Sequence, residues 1–219
     1  MEANSTIFEL YSSVLAYPSE ETREAINNLQ ELLSLHYPES SELLKQFSEF
    51  TQRTSLTDWE EIYTRTFDVQ SISTLDLGYA LFGDDYKRGE VLVNLSKEHK
   101  TAGINCGTEL ADHLPNVLKL FAVLHEDEFK EELAQLLIIP ALKKIISEFQ
   151  VENIERKNKI YQKHHRAIIQ DEKKDKLIYQ SVLNSLLTIL TGSYPESNNI
   201  TEEHNSQKIS FGNEMEVPE

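Results

Sequence analysis

The chain is expected to fold as one all-α domain, a single helical bundle of roughly eight to ten helices. Three observations predict this. Apolar residues recur three and four apart through most of residues 7–190, the spacing of one helix face. The 219 residues hold only 7 Gly and 6 Pro, too few for a strand-and-turn architecture. No segment alternates apolar and polar residues as a half-buried strand would.

Each helix can be justified in order. Ile7, Leu10, Tyr11, Val14 and Leu15 share a face, and Tyr17-Pro18 ends that helix, since a residue before proline is pushed out of the helical region. Ser19 can cap a second helix carrying Ile26, Leu29 and Leu33 as far as Tyr37-Pro38. Ser40 or Ser41 is expected to open a third, striped by Leu43, Leu44, Phe47 and Phe50. Thr57 and Glu60 have capping-box spacing before Trp59, Ile62, Tyr63 and Phe67. Residues 68–84 lack a period and read as a long ordered loop, a kind often functional.

Helix resumes near Asp85 with Val91, Leu92, Leu95 and His99 on one side, and Gly103 and Gly107 break it. Leu110, Leu114, Val117, Leu118, Phe121 and Leu124 form the clearest stripe in the chain, which places Glu109, Asp112 and His113 at the head of that helix. Phe129, Leu133, Leu136 and Leu137 follow, and Pro140 suits the start of a further helix through Leu142, Ile145, Ile146 and Phe149. Residues 151–176 set eight basic residues against five acidic ones and read as a solvated helix or helix pair. Leu177, Val182, Leu183, Leu186, Leu187 and Leu190 make the last core helix. The domain is thus placed at 1–191 and a flexible acidic tail at 192–219, where only Ile209 and Phe211 could dock.

Charge and cysteine content narrow the function. Lys+Arg number 21 and Asp+Glu 37, for a net charge of −16, which repels phosphate backbones and favours a basic partner. The plainer consequence of the same charge is solubility. One cysteine, Cys106, rules out an intrachain disulfide and a cysteine zinc cluster. The first residues lack a basic, then apolar signal pattern, and no apolar run approaches membrane-spanning length. A cytoplasmic chain without membrane insertion is the expectation.

Chemical motifs are sparse. There is no phosphate-binding glycine loop and no His-Glu-x-x-His, and adjacent His164 and His165 diverge on a helix. Asp112 and His113 could form an acid–base pair; equally, Glu109 and Asp112 could be favourable charges near a helix N-terminus. Asp84 and Asp85 precede a helix and can cap it, and Arg88 can pair back to Asp84. Tyr79, Leu81 and Phe82 lie just upstream, so apolar anchors stand beside carboxylates, as a groove for a hydrophobic and basic peptide requires. No catalytic residue, metal site or bound cofactor is assigned.

Three blocks then become familiar: Leu15-Ala16-Tyr17-Pro18; Tyr63-Thr64-Arg65-Thr66-Phe67-Asp68 followed by Leu81-Phe82-Gly83-Asp84-Asp85-Tyr86-Lys87-Arg88-Gly89 and Val91-Leu92-Val93-Asn94-Leu95; and Ala102-Gly103 with Glu109-Leu110-Ala111-Asp112-His113-Leu114-Pro115, continuing to Leu118 and Phe121-Ala122. In order and spacing, over about residues 7–146, they resemble the redox-enzyme maturation chaperones of the NarJ/TorD type, the nitrate reductase delta-subunit family. The resemblance implies an all-α protein without catalytic turnover. Such a protein binds the N-terminal signal or signal-like peptide of a molybdopterin-dependent oxidoreductase catalytic subunit. It assists insertion of the molybdenum cofactor before membrane attachment or export. Under that resemblance the peptide site comprises Tyr63, Phe67, Leu77, Tyr79, Phe82, Asp84, Asp85, Arg88, Glu109, Asp112, His113, Leu114 and Pro115. Asp84, Arg88 and Gly89 match an element that fixes the loop and helix start.

Departures from the family are Ala111, where nitrate-type relatives carry proline, and a longer polar stretch at 151–176. They leave open whether the client is of the nitrate, DMSO or selenate reductase type. A permanent adaptor subunit and a helical hydrolase built on Asp112 and His113 are the rival readings. A homodimer is compatible with such a bundle.

Overall fold

A computed structural model describes residues 2–69, 71–125, 128–157 and 177–195. Among these residues the chain is all helix and connecting loop. The helices are α1 Glu2–Val14, α2 Glu20–His36, α3 Pro38–Arg53, α4 Leu56–Phe67, α5 Leu77–Phe82, α6 Tyr86–Thr101, α7 Leu114–Val123, α8 Glu128–Glu132, α9 Ile139–Ser147, α10 over 151–157 and α11 Ile178–Ser193. A π-helical turn, Leu133–Ile138, joins α8 to α9.

Contacts run α1–α2–α3–α11–α9–α5–α6–α7 and back to α1, so the bundle closes on itself. Each helix sends its apolar stripe inward. Phe8 of α1 meets Phe121 of α7 edge to face at 4.8 Å, the arrangement the ring quadrupoles favour. Trp59, Tyr63 and Phe67 of α4 are buried around Tyr179 of α11 and Phe47 of α3. Several polar atoms in this core are paired across helices. Trp59 Nε1 donates to the Tyr179 hydroxyl (2.7 Å), the Tyr11 and Ser185 hydroxyls share a 2.6 Å bond, and Ser12 Oγ donates to the Pro115 carbonyl (2.7 Å). Unpaired, each would cost about 1–3 kcal/mol.

Several boundaries differ from the sequence expectation. Ser19 does cap α2, with Thr22 completing a reciprocal box. α3 begins at Pro38, not at the serines, because proline at the first position spends no needed amide. α4 is capped by Ser55, whose Oγ accepts the Asp58 amide (3.1 Å), so the Thr57–Glu60 pair falls inside the helix. The expected loop at 68–84 contains α5. α7 begins at Leu114, so Glu109–His113 precede the helix rather than head it, and Leu110 is exposed.

Asn116 gives the reason for that last difference. Its side-chain amide donates to the Cys106 and Leu110 carbonyls (3.1 Å each), folding the 104–113 connection back over α7. Gly103 and Gly107, at φ 69° and 66°, provide the left-handed turns this path needs. The buried His99 ring of α6 lies between the Leu95 carbonyl (Nδ1, 2.6 Å) and the Asn116 carbonyl (Nε2, 3.1 Å), which sets α6 against the same point.

Pro140 stands in the first turn of α9, as expected, but α9 follows directly on the π-helical turn. The Ile139 amide reaches back five residues to Ala134, and this widened turn leaves room for the proline ring within one continuous helical run. α11 continues to Ser193, beyond the domain boundary expected at 191. Residues 158–176 and 196–219, with most of the basic stretch and most of the acidic tail, lie outside the described residues, as do His164, His165, Ile209 and Phe211. No helix of the described residues is long and apolar enough to cross a membrane.

Candidate functional site

Two loops meet at a short antiparallel bridge between Asp76 and His113. The Leu77 amide donates to the Asp112 carbonyl (2.9 Å) and the Leu114 amide to the Leu75 carbonyl (2.8 Å). This pairing sets the N-terminus of α5 beside that of α7.

Both N-cap residues, Asp76 for α5 and His113 for α7, make no side-chain bond to their own helix. They bond to each other: His113 Nδ1–H donates to Asp76 Oδ1 (3.1 Å). The α5 amides are capped from outside. Asp112 Oδ2 accepts from the Gly78 amide (3.2 Å), so a carboxylate from the other loop does the work normally given to the N-cap side chain.

Arg88 of α6 closes the cluster. It donates from Nη2 to Asp76 Oδ2 (3.0 Å) and from Nε to Asp112 Oδ2 (3.3 Å), and its guanidinium lies 5.1 Å from the Tyr79 ring centroid. Gly78 is required by this closeness. A Cβ there would stand 2.8 Å from Asp112 Oδ2 and 3.2 Å from Arg88 Cγ.

The two carboxylates are tuned in opposite directions. Burial raises the Asp112 carboxyl above its ordinary value and the Asp76 charge adds to this, outweighing Arg88. Burial also acts to raise Asp76, but the His113 hydrogen bond and the charges of His113 and Arg88 together hold it below its ordinary value. Asp112 is fully buried, and its Oδ1 has no hydrogen-bond partner among the described residues.

Exposed Asp68 and Glu109 make an acidic rim to one side, their charges acting with that of Asp76 on Tyr63. Asp68, at the C-terminus of α4, is pushed up by partial burial and then by the Glu109 and Asp76 charges, with His113 opposing. The Tyr63 phenol is raised by burial first, then by Asp68, Glu109 and Asp76. Tyr17 packs edge-on against Tyr63 at 5.4 Å and is 54% exposed.

The structure distributes the thirteen sequence-selected residues unevenly. Arg88, Asp112 and His113 meet in the cluster, with Tyr79 against Arg88. Glu109 lies on the rim. Tyr63 and Phe67 are core residues presenting no open face; the Tyr63 hydroxyl donates to the Leu15 carbonyl (3.4 Å). Leu77, Leu114 and Pro115 are buried at the two helix starts. Phe82 is half-buried. Asp85 is exposed and caps α6 through the Lys87 amide (2.9 Å). Asp84 is exposed, and the expected Asp84–Arg88 pair is replaced by Arg88 with Asp76 and Asp112, which offer two carboxylates in a drier setting.

Asp112 and His113 do not act on each other. One faces Arg88 and Gly78, the other Asp76, because neighbouring residues in extended backbone project to opposite sides. The oriented imidazole is therefore paired with Asp76, a residue sequence reasoning passed over. Among the described residues no hydroxyl or thiol hydrogen-bonds to that ring, and no three His, Cys, Asp or Glu side chains converge as metal ligands. Asp76 carried one readable signal, an Asp immediately before the apolar run Leu-Gly-Tyr-Ala-Leu-Phe, the pattern of a helix start. Gly78 and Asn116 had none, since their roles depend on groups at least six residues away.

The class of protein thus defined is an all-helical bundle whose candidate site is an ion-paired junction of two loops beside an acidic, partly aromatic rim. No family model matches the chain, and no curated protein matches it.

Proposed function

We propose that this chain is a maturation chaperone of the NarJ/TorD type. It holds the N-terminal segment of a molybdoenzyme catalytic subunit in the cytoplasm while the molybdenum cofactor is inserted, and it catalyses no reaction of its own. The observation that carries the reading is the joining of two resemblance blocks. Arg88 of the second block pairs with Asp112 of the third, and Asp76 and His113 complete the cluster. The pairing makes one structural unit of parts of the second and third blocks.

The physical setting also suits peptide capture. Four side chains and two helix starts share the junction. The −16 charge raises the encounter rate with a basic segment, and exposed apolar and aromatic side chains beside carboxylates suit a peptide that is both hydrophobic and cationic.

Isothermal calorimetry tests this, using the full chain and the N-terminal segment of a molybdoenzyme catalytic subunit. Saturable binding of that segment is expected, along with competition by the intact catalytic subunit. Absence of both heat and competition overturns the reading. Copurification with mature, cofactor-loaded enzyme would instead identify a permanent subunit.

A further inference from the structure

Helix α6 turns an ordered row of side chains away from the bundle. Tyr86, Gly89, Glu90, Val93, Lys97 and Lys100 recur three and four apart, so they share one face, and all six are exposed. The opposite face holds the buried Val91, Leu95 and His99. Tyr86 is 77% exposed and Val93 69%, so the outer row has an apolar centre and an aromatic end that the chain leaves uncovered. Gly89 is unexplained by the fold. A Cβ there would meet nothing within 4 Å, so no packing inside the chain calls for glycine where alanine would favour the helix. A bare backbone at an exposed helical position suits the close approach of another element from outside.

The row is complementary to its own reverse. Tyr86 lies seven residues before Val93 and Lys100 seven after it, while Glu90 lies three before and Lys97 four after. We propose that α6 is the contact helix of a homodimer, in which the outer faces of two α6 helices pack antiparallel across a twofold axis at Val93, with no exchange of segments. Each Glu90 then faces the partner's Lys97, and each Tyr86 ring faces the partner's Lys100. The two Val93 side chains meet on the axis, and Gly89 lets the backbones close to helix-packing distance.

Charge complementarity selects a second copy as the occupant. A basic segment would meet Lys97 and Lys100, and an acidic one would meet Glu90; a second copy satisfies both signs at once. Two lysines against one glutamate also make this row net positive in a chain of net charge −16, so facing rows bring together a part of the surface where the two copies repel least. The contact is small, since 16 helical residues span about 24 Å. The dimer is therefore reversible, with a dissociation constant on the order of tens of micromolar. It does not depend on the peptide-holding reading: Arg88 points to the other side of α6, onto Asp76 and Asp112, and keeps those partners in the dimer.

Sedimentation equilibrium of the full chain, at concentrations about tenfold either side of that constant, tests the pairing. Glu90→Lys and Lys97→Glu should each weaken association about tenfold, because each sets like charges opposite one another twice. An equimolar mixture of the two single variants should form a heterodimer, since every facing pair is again of opposite sign, and this recombination also shows that both variants are folded. The Glu90→Lys, Lys97→Glu double variant should regain the parental constant to within about twofold. Gly89→Leu should raise the melting temperature and yet weaken the dimer. A chain monomeric throughout overturns the proposal and leaves α6 to a different protein. Association indifferent to the single reversals or to Gly89→Leu overturns it by placing the contact elsewhere, and so does failure of the single variants to recombine.

Discussion

Asp112 is a buried carboxylate with one oxygen spent on Gly78 and Arg88 and the other without a partner among the described residues. Such a group is costly at neutral pH, and linkage states how. Its folded pKa is raised, so the folded chain holds that proton more readily than the unfolded chain, and stability rises as pH falls through the folded value. Asp76 behaves in the opposite sense. Its folded pKa is depressed, so its contribution is present above the unfolded value of about 3.9 and is lost as pH falls through the folded one. Urea unfolding from neutral to acid pH should therefore show Asp76→Asn most destabilising at neutral pH, with the deficit narrowing in acid. Asp112→Asn should compare best with the parent at neutral pH and worst in acid. Parallel curves for the two variants would contradict this assignment. Gly78→Ala belongs to the same scale. With its Cβ 2.8 Å from Asp112 Oδ2, it should cost about 1–3 kcal/mol by chemical denaturation, although alanine favours helix elsewhere.

At the scale of elements, α5 has only six residues, too short to persist by itself. It is held by Asp112 at its N-terminus, by α9 and α6 at its sides, and by Lys144 of α9 donating to the Leu81 carbonyl (3.3 Å). Arg88 couples α5 to α6. Removing it with Arg88→Ala strands Asp112 as a buried, uncompensated carboxyl, at a cost of about 3 kcal/mol. Native-state hydrogen exchange should then show faster exchange in α5 and the first turn of α6, with α3 and α11 unchanged. Uniform acceleration across the bundle would mean that the junction is not a local unit. The 104–113 connection depends on Asn116 in a similar way. Its amide satisfies two carbonyls of that connection, so Asn116→Ala should release the segment bearing Glu109 and cost about 2 kcal/mol.

For the whole molecule, the net charge of −16 and the closed ring of helices act on different quantities. The ring gives rigidity, and the charge gives a long-range field. If that field steers a basic peptide, stopped-flow association should slow markedly as salt rises while dissociation changes little, because distant charges are screened within about 10 Å at 0.1 M. Salt-independent association would assign the acidity to solubility alone.

The amino-acid sequence alone determined the all-α fold and most of the helix faces. Spacing of Leu, Ile and Phe is a local property, and burying a stripe needs only some partner, whichever it is. The Leu177–Leu190 stripe was legible for that reason and Ser19 by its capping chemistry, whereas the start of α3 at Pro38 was not. Three of the four cluster residues, Arg88, Asp112 and His113, were also singled out, but with different partners: Asp84 for Arg88, and Asp112 and His113 for each other. Tertiary structure alone decided that Asp112 would cap α5 across 34 residues of chain, that Asp76 would take both His113 and Arg88, and that Tyr63 and Phe67 would turn inward. A carboxylate's partner is set by which cation the fold brings within about 3 Å, and that distance is a product of packing, which no local pattern of residues encodes.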